Sequence, residues 1–525
     1  MRGNPVRSLA GICATAIIVI LTGCGGGGGT VQPPPGGNFT NASLMGNYAF
    51  SYQGSDIGGA PFVAAGQFTA NGQGVISGGG IDLNDPFDSI VLSPALGTGT
   101  ISGTSNYAVS GDGETTVNLV LPGGTLTLQM TLASSQHGVL TAFDGEFSGS
   151  GTIDMQTVGA AVPTNFAFAL TGSDLQSGQQ ALFGANIGVT GGTLIQTGSS
   201  EADIVAPGLF SPPDTADTSL TGTLTPDAAN PGRATLSLTS VTLNNTSFSF
   251  AVYIVDSTHL EVAEVDNSSG FLVGGEAFVA PAGGNQQLAK GNYAYTVSGE
   301  AQNGGTFSAG GVFTSNGSGM VTGGIQDLHS TGQVFAGQTL ATTSYTSDPN
   351  FARLDLTLND GTVPFEYAAY PTSNGRLMIV EIDQVTKGEC ECFAGGIGYL
   401  QSSTSALSGS FALDISSLAF SKKHGAVAQD VAGLITVSGA TVTGDLNINN
   451  DQGKNELLTD VPLSNSTATT PDTTFGRGTM LSLQSGLLGN AGYALSFYTV
   501  DGSRVLMIEV DNSRISTGQL LAQTE

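Results

Sequence analysis

Pairs of acidic residues recur at the end of one apolar segment, and they are the side chains of this sequence best suited to chemistry. In the last copy, residues 504–512, a basic residue is followed by an apolar run and an aspartate closes the segment seven positions later. The first copy keeps only the aspartate. The acids of the four copies are, in chain order, Asp144; Glu264 and Asp266; Glu381 and Asp383; and Glu509 and Asp511.

Two interpretations of these acids are open. Residues two apart on a strand share a face, so Glu381 and Asp383 would point the same way near the strand end. Such a pair is a candidate seed for a Ca²⁺ site, because calcium takes six to eight oxygen ligands. Alternatively, the acids accept hydrogen bonds from backbone amides of a nearby loop, or from the Arg or Tyr of their own repeat. Recurrence in every repeat favours the structural role, and we predict no cofactor.

A basic residue leads each copy, and its separations of five and seven from the acids are odd. On a regular strand the base and the acids then face opposite ways, so we expect the base to cap the preceding turn. A tyrosine precedes three of the bases by six positions, and an acid ends an earlier strand in each repeat. These residues are the bases His137, His259, Arg376 and Arg504, the tyrosines Tyr253, Tyr370 and Tyr498, and the acids Asp82, Asp203, Asp327 and Asp445.

The copies divide the chain into four domains that repeat at roughly 115 to 120 residues, too long for the rungs of a β-helix. Each domain opens with an aromatic strand whose rings alternate into a core, as in Tyr48-Ala-Phe50. Short turns such as Asn71-Gly72 indicate sequential hairpins. We therefore predict an all-β protein of four tandem antiparallel domains, each an up-and-down barrel of about eight strands, with a β-sandwich as the alternative. The predicted domains span residues 44–158, 163–280, 288–402 and 406–525.

The N-terminus has the organisation of an export signal. Arg2 and Arg7 precede a short apolar run, residues 9–21, which ends in Leu21-Thr22-Gly23-Cys24. This motif resembles the lipobox of bacterial lipoproteins. The resemblance implies that residues 1–23 are removed, that Cys24 is acylated, and that residues 24–43 form a Gly/Pro-rich tether. Stable anchoring takes two or more acyl chains. Glycine rather than aspartate at position 25 implies localisation to the outer membrane, facing the surface or the periplasm.

The repeats resemble Gly/Thr-rich domains of bacterial envelope lipoproteins, a resemblance that brings no activity with it. Their opening strands are also similar in architecture to those of lipocalins and avidins, with Tyr48, Phe166, Tyr293 and Phe411 where those families place tryptophan. The implied expectation is a β-barrel, and no ligand is implied.

Charge and composition exclude several functions. Removal of the two leader arginines would change the formal net charge from −28 to −30. Such a surface repels nucleic acid, which we exclude as a partner. The four histidines are scattered, and no nucleophile or phosphate-loop motif is present, so we predict that the protein is not an enzyme. Cys390 and Cys392 lie one residue apart, as an incidental pair, a small-ring disulfide or part of a soft-metal site.

Three functions remain open. The first is a surface binding, adhesion or structural lipoprotein that contacts the membrane through its acyl chains and, beyond it, envelope glycans or proteins. The second is a carrier that holds small apolar ligands inside calyx-like barrels. The third is a passive surface spacer. Because specific function should differ between copies, we expect it where the repeats disagree.

Overall fold

The computed structural model of the chain describes residues 37–209, 214–301, 305–330, 332–361, 364–383, 392–421, 425–450, 456–481 and 492–525. These residues belong to one compact unit, Pro34–Glu525. Their regular secondary structure consists of β-strands and two short 3-10 turns, Asn41–Ser43 and Pro94–Leu96. Within the described ranges, no helix has the length and apolar character needed to cross a bilayer.

The strands form four consecutive antiparallel sheets. The first sheet contains β1 (Met45–Asp56), β2 (Pro61–Asn71), β3 (Ile76–Asp85), β4 (Ile90–Leu92), β5 (Thr100–Ile101), β6 (Asn106–Val109), β7 (Glu114–Leu121), β8 (Gly124–Leu132), β9 (His137–Ala142) and β10 (Phe147–Met155). The second sheet contains β11 (Asn165–Asp174), β12 (Gln180–Gly188), β13 (Leu194–Ile195), β14 (Glu201–Val205), β15 (Asp214–Asp217), β16 (Thr221–Pro226), β17 (Arg233–Ser240), β18 (Thr246–Ile254), β19 (His259–Glu264) and β20 (Phe271–Val279).

The other two sheets follow the same order. The third contains β21 (Gly291–Ala301), β22 (Thr306–Ser315), β23 (Met320–Ser330), β24 (Gln333–Leu340), β25 (Thr343–Ser347), β26 (Leu354–Asn359), β27 (Pro364–Pro371), β28 (Arg376–Glu381) and β29 (Cys392–Leu400). The fourth contains β30 (Gly409–Ser421), β31 (Gly425–Ser438), β32 (Thr441–Asn450), β33 (Glu456–Pro462), β34 (Ser466–Ala468), β35 (Arg477–Leu481), β36 (Ala494–Thr499), β37 (Arg504–Glu509) and β38 (Arg514–Ala522).

The all-β, antiparallel prediction is confirmed, and the sheets differ in how far they close. In the third and fourth, eight strands close as up-and-down barrels through the pairs β22–β23 and β31–β32, with β24 and β33 as side hairpins. The first sheet curls round so that β6 meets the start of β3 through the bridge Val75–Asn106. The second stays open, because β13 pairs with β16 at one end while β15 ends the other. Closure removes the exposed edges that antiparallel sheets otherwise present.

Each sheet wraps its own apolar core. The opening aromatic strands point their rings inward as predicted, with Tyr48 and Phe50 buried in the first sheet. In the second sheet, Phe183 packs edge-on against Phe168 and Phe248, with ring centroids 5.5 and 5.3 Å apart. Edge-to-face packing of this kind is the favoured geometry for aromatic pairs. Side chains therefore occupy the space that each sheet encloses.

The four sheets pack side by side into a closed ring. The first two strands of each sheet lie against the last two of a neighbour: β1 and β2 on β19 and β20, β11 and β12 on β28 and β29, β21 and β22 on β37 and β38, and β30 and β31 on β9 and β10. We call each such contact surface a seam. Each seam buries an apolar cluster, and the fourth seam, between the last sheet and the first, completes the ring.

Three of the seams contain the same type of buried polar contact. In each, an aspartate of one sheet accepts hydrogen bonds from an arginine and a tyrosine of the next sheet. At the first seam, Arg233 reaches back to Asp82 with two hydrogen bonds, Nε to Oδ2 at 2.6 Å and Nη2 to Oδ1 at 2.9 Å. The recurring Tyr253 donates its hydroxyl to the same carboxylate, at 2.6 Å. This two-pronged arginine–carboxylate geometry is the strongest form of protein ion pair.

The second and third seams repeat the arrangement. Asp203 accepts from Arg353 Nε at 2.6 Å and from Tyr370 at 2.5 Å. Asp327 accepts from Arg477 Nε at 2.6 Å and from Tyr498. The tyrosines and early acids noted in the sequence are thus partners, but across sheets rather than within one repeat. All three carboxylates are at most 1% exposed, so each guanidinium compensates a buried charge.

The fourth seam lacks this contact. Strand register places Glu114 where the other sheets have the arginine and Thr131 where they have the tyrosine. The pairing of β31 with β32 places Asn447, and not Asp445, at the position that corresponds to Asp327 of the third sheet. Asn447 Nδ2 donates to Glu114 Oε1 at 3.0 Å. Ring closure is therefore made by a different and more acidic set of residues.

Acids crowd the fourth seam. Burial, together with the nearby carboxylates of Asp445, Asp112 and Asp460, raises the pKa of Glu114 to about 9. Burial and the charges of Asp112 and Asp460 raise the pKa of Asp445 to about 6, against the opposing effect of its hydrogen bond with Glu114. Glu114 and Asp445 therefore bind protons more tightly in the folded protein than in the unfolded chain.

We predict that Asp203→Ala destabilises the protein by about 3–5 kcal/mol, since it leaves Arg353 and Tyr370 buried without their acceptor. Asp355→Ala is the matched control, because Asp355 pairs with the same arginine at 2.6 Å but its side chain is 52% exposed. Its expected cost is about 1 kcal/mol or less. Urea denaturation measures both, and equal costs for the two variants would show that burial of the pair does not matter.

We predict that the free energy of unfolding falls as pH rises between about 4.5 and about 9. The folded-state pKa of Glu114 lies above its unfolded value, so the stabilising proton is bound at low pH and lost through this window. Glu114→Gln should flatten the dependence and raise the thermal midpoint at pH 8 but not at pH 4. Scanning calorimetry tests this, with the exposed Glu146→Gln in the same sheet as the control. An unchanged profile in the Glu114 variant would contradict the assignment.

Candidate functional site

The four leading bases meet at the centre of the ring. Each is the first residue of its strand (β9, β19, β28 and β37), and these strands all start at the same end of the ring axis. His137, His259, Arg376 and Arg504 line one cavity of about 100 Å³ there, together with acids from β10 and β20. The sequence predicted that the bases cap turns. The structure instead brings them together, because four related sheets arranged in a ring place equivalent residues around one axis.

The arginine half of this cavity is packed against aromatic rings. The Arg376 guanidinium lies 3.7 Å from the centroid of Phe278, which belongs to the neighbouring sheet. Arg504 lies 4.9 Å from the ring of Tyr399 and donates to the Tyr399 hydroxyl at 2.9 Å and to Gln519 at 2.8 Å. Cation–π contacts and neutral acceptors therefore hold these two cations in place.

The histidine half is packed against carboxylates. His137 Nδ1 lies 2.8 Å from Asp154 Oδ1, within the first sheet. His259 Nε2 lies 2.9 Å from Glu276 Oε1 and 3.7 Å from Glu261 Oε1, within the second. We call these five residues the axial cluster. Ligand atoms of Asp154, His259, Glu261 and Glu276 all lie within 4.8 Å of one another.

Polar contacts position the cluster across the first seam. Glu261 is fully buried and accepts a hydrogen bond from Ser51 Oγ of the first sheet at 2.5 Å. The His259 ring stacks on Phe278, with centroids 4.5 Å apart. Asp154 Oδ2, His137 Nε2 and His259 Nε2 are buried atoms without a hydrogen-bond partner. The cluster is thus held on several sides while three potential ligand atoms make no hydrogen bond.

Burial and charge act in opposite directions on the two ends of the His259–Glu276 pair. Burial alone would lower the pKa of His259, but the carboxylates of Glu276, Glu261 and Asp154 raise it above its usual value. Burial alone would raise the pKa of Glu276, but His259, Arg376 and His137 lower it. For Glu261 the charge of His259 does not offset burial, and burial raises the pKa of Glu261 well above the normal range. Without a further cation, these shifts favour an ion pair between His259 and Glu276 and the protonated form of Glu261.

Further cavities continue from the cluster along the ring axis. One of about 270 Å³ shares Thr152 and Glu276 with the cluster cavity, and a second of about 490 Å³ shares Gln53 and Ser150 with the first. All four sheets contribute to them, mainly with serine, threonine and glycine. The close approach needs glycine at Gly395, where a Cβ would lie 2.5 Å from Thr171 of the neighbouring sheet. The axis therefore holds adjoining cavities whose lining mixes hydroxyl and backbone groups with apolar side chains.

The acids singled out in the sequence lie at the opposite ends of the same strands. Asp144 accepts from the amides of Glu146 and Phe147 at 2.9 and 3.1 Å. Glu264 accepts from Ser269 Oγ at 2.5 Å and Asp266 from the Ser249 amide at 2.6 Å. Asp383 accepts from the Glu366 amide at 2.5 Å, Glu509 from the Ala494 amide at 3.0 Å, and Asp511 from the Ser513 amide at 2.7 Å. These six acids make local contacts within one sheet, of the kind expected for structural acids. Both side-chain oxygens of Glu381 are instead buried without a hydrogen bond of good geometry.

Burial also changes the protonation of the glutamates in these pairs. It raises the pKa of Glu264, Glu381 and Glu509 well above the normal range, and the adjacent Asp266, Asp383 and Asp511 raise it further. In the metal-free chain, burial therefore favours the protonated form of these three glutamates.

Some sequence predictions fall on other parts of the chain. Cys24, the leader and most of the tether lie outside the described residues, and so does Cys390. Cys392 starts β29 and is disulfide-bonded. The sequence analysis did not single out Asp154, Glu261 or Glu276. A signal was present for Glu261, because it stands two residues after the base, where the other copies have Val139, Met378 and Leu506.

Comparisons with known proteins add little. No protein-family model matches the sequence, and no curated protein matches it. A solved structure described as AttH from Nitrosomonas europaea is 9% identical, with a TM-score of 0.16 over 68% of this chain and 94% of its own. The structure of intact Ap-TbpB, with its N and C lobes, is also 9% identical, with a TM-score of 0.18 over 96% of this chain and 98% of its own. At such TM-scores neither structure is a guide to what this chain does.

Proposed function

We propose that the chain is a lipoprotein of the bacterial cell envelope, anchored through Cys24 to the outer membrane, that acts without catalysis as a surface binding or structural protein. The observation that carries the proposal is the closed ring of four sheets. Buried arginine–aspartate–tyrosine contacts join the sheets at three of its seams, and the ring surrounds cavities lined in part by hydroxyl, amide and backbone groups. A rigid body of this kind presents a fixed surface to a partner and loses little conformational freedom on binding.

The hydrogen-bonding groups along the axis support the binding of a polar partner. Hydroxyl, amide and backbone groups from four sheets line the larger axial cavity, among them Gln53, Thr171, Ser298 and Thr517. Such groups form hydrogen bonds with polar partners, for which envelope glycans and the loops of envelope proteins are the proposed candidates. By contrast, aromatic and aliphatic side chains occupy the barrel interiors where an apolar ligand would sit. The described cores therefore weigh against the carrier alternative.

The proposed anchor explains how a strongly acidic chain stays at a membrane. At a formal net charge of −28, the protein would be repelled by anionic headgroups, so electrostatic attraction cannot hold it there. Covalent acyl chains supply apolar contact that does not depend on charge, at about 0.8 kcal/mol per buried methylene group. Membrane attachment and binding along the ring axis then depend on different parts of the chain.

Metabolic labelling tests the anchor. Expression of the full chain with labelled palmitate in a bacterium that has an outer membrane should give a labelled protein, and Cys24→Ala should abolish the label. Cys13→Ala is the matched control, since Cys13 lies in the preceding apolar run and should not matter. Equal labelling of the Cys24 variant would rule out this anchor.

A further inference from the structure

We propose that the axial cluster binds one first-row divalent transition-metal ion, with Zn²⁺ as the best match to its ligands. The donors are the imidazole of His259 and the carboxylates of Glu261, Glu276 and Asp154, with His137 beside them. This site goes beyond the proposed surface role and does not depend on the lipid anchor. It also differs from the calcium sites considered at the other ends of the same strands.

The first argument is that the four sheets differ at these positions. Glu261 replaces the valine, methionine or leucine that its equivalents carry, and it is fully buried. Glu261 on β19 pairs directly with Glu276 on β20. In the other three sheets the residue at the position of Glu276 is Thr152, Ile397 or Gln519. Burying a carboxylate costs several kcal/mol unless a cation or hydrogen bonds compensate it. These additional acids occur only beside the leading bases that are histidines, and not beside the two that are arginines. This coincidence of histidines and acids is what a set of metal ligands requires.

The second argument is the spacing of the donors. In a tetrahedral zinc site with bonds of roughly 2.0–2.1 Å, neighbouring ligand atoms lie roughly 3.3 Å apart. His259 Nε2 lies 2.9 Å from Glu276 Oε1 and 3.7 Å from Glu261 Oε1, on either side of that value. Small side-chain rotations therefore bring these atoms onto one ion, without movement of the strands that carry them.

The third argument is the support around the donors. Asp154 Oδ1 holds His137 Nδ1 at 2.8 Å, an orientation that leaves the buried His137 Nε2 and Asp154 Oδ2 without partners. Both residues line the cluster cavity. His259 Nε2, the proposed histidine ligand atom, is also buried and makes no hydrogen bond of good geometry, although it lies 2.9 Å from Glu276 Oε1. Glu261 is likewise fixed by Ser51, so the site is formed before the ion arrives.

The nearby arginines do not make the cavity an anion site. Arg504 donates to Tyr399 and Gln519, and the Arg376 guanidinium lies 3.7 Å from the centroid of the Phe278 ring. With both imidazoles neutral, the three carboxylates of the cluster outnumber these two guanidinium groups. Imidazole among the ligands favours zinc, iron or nickel over calcium or magnesium, which prefer oxygen donors alone.

The test is titration of Zn²⁺ into the full chain, purified in detergent and stripped of metal with a chelator, by isothermal calorimetry. We expect one ion per chain, and at least a tenfold loss of affinity in Glu261→Gln. Glu264→Gln is the matched control, because Glu264 lies on the same strand with equal burial but outside the cluster. It should bind within about twofold of the wild type. Should Glu261→Gln fold poorly, Asp154→Asn takes its place, as a partly exposed member of the cluster.

Cobalt substitution identifies the ligands. Co²⁺ bound through His259 should give visible absorption bands typical of four- or five-fold coordination, and His259→Gln should remove them. The proposal is overturned if zinc uptake is not stoichiometric, if Glu264→Gln weakens binding as much as Glu261→Gln does, or if Ca²⁺ binds more tightly than Zn²⁺. Binding of inorganic phosphate without binding of zinc would overturn it too, since the cavity would then be an anion site.

Discussion

The buried contact of arginine and tyrosine with an aspartate of the preceding sheet is the interaction on which the architecture depends. Ion pairs of this kind seldom add net stability, because desolvation of the charges offsets their attraction. Their effect is on specificity. Four related sheets present similar apolar faces, and an arrangement that misplaced a sheet would bury Arg353 or Asp203 without a partner. The contact therefore selects the order and register in which similar surfaces meet.

The ring in turn creates the axial site. No single sheet contains the cluster, because His137 and Asp154 come from one sheet and His259, Glu261 and Glu276 from the next. Equivalent positions of the four repeats lie side by side at the axis. A residue change in any one repeat therefore alters the same cavity. This is how a protein assembled from similar units gains an asymmetric centre, with arginines and aromatic rings on one side and histidines and acids on the other.

The sequence was sufficient for the antiparallel meander of each repeat. It was insufficient for barrel closure, which only the third and fourth sheets complete, and for contacts between repeats. Alternating aromatic residues and Asn-Gly turns act locally, so the inward rings of Tyr48 and Phe50 and the antiparallel meander could be predicted. The link between Arg233 and Asp82 spans 151 residues, and that between Arg353 and Asp203 spans 150. No local rule joins such residues, although their nearly constant separation was visible in the sequence. The axial cluster was missed because each base was considered only with its own strand, although Glu261 broke an apolar pattern.

The direction of the seam contacts has a consequence for how the chain assembles. At each of the first three seams the aspartate precedes its arginine along the chain, and so it is synthesised first. The aspartate of each of the first three sheets therefore has no partner until about 150 further residues have been synthesised. The first sheet carries no arginine or tyrosine for which an earlier sheet would be required. The sheets can therefore dock in chain order, and the last sheet reaches the first only when synthesis of the chain is complete.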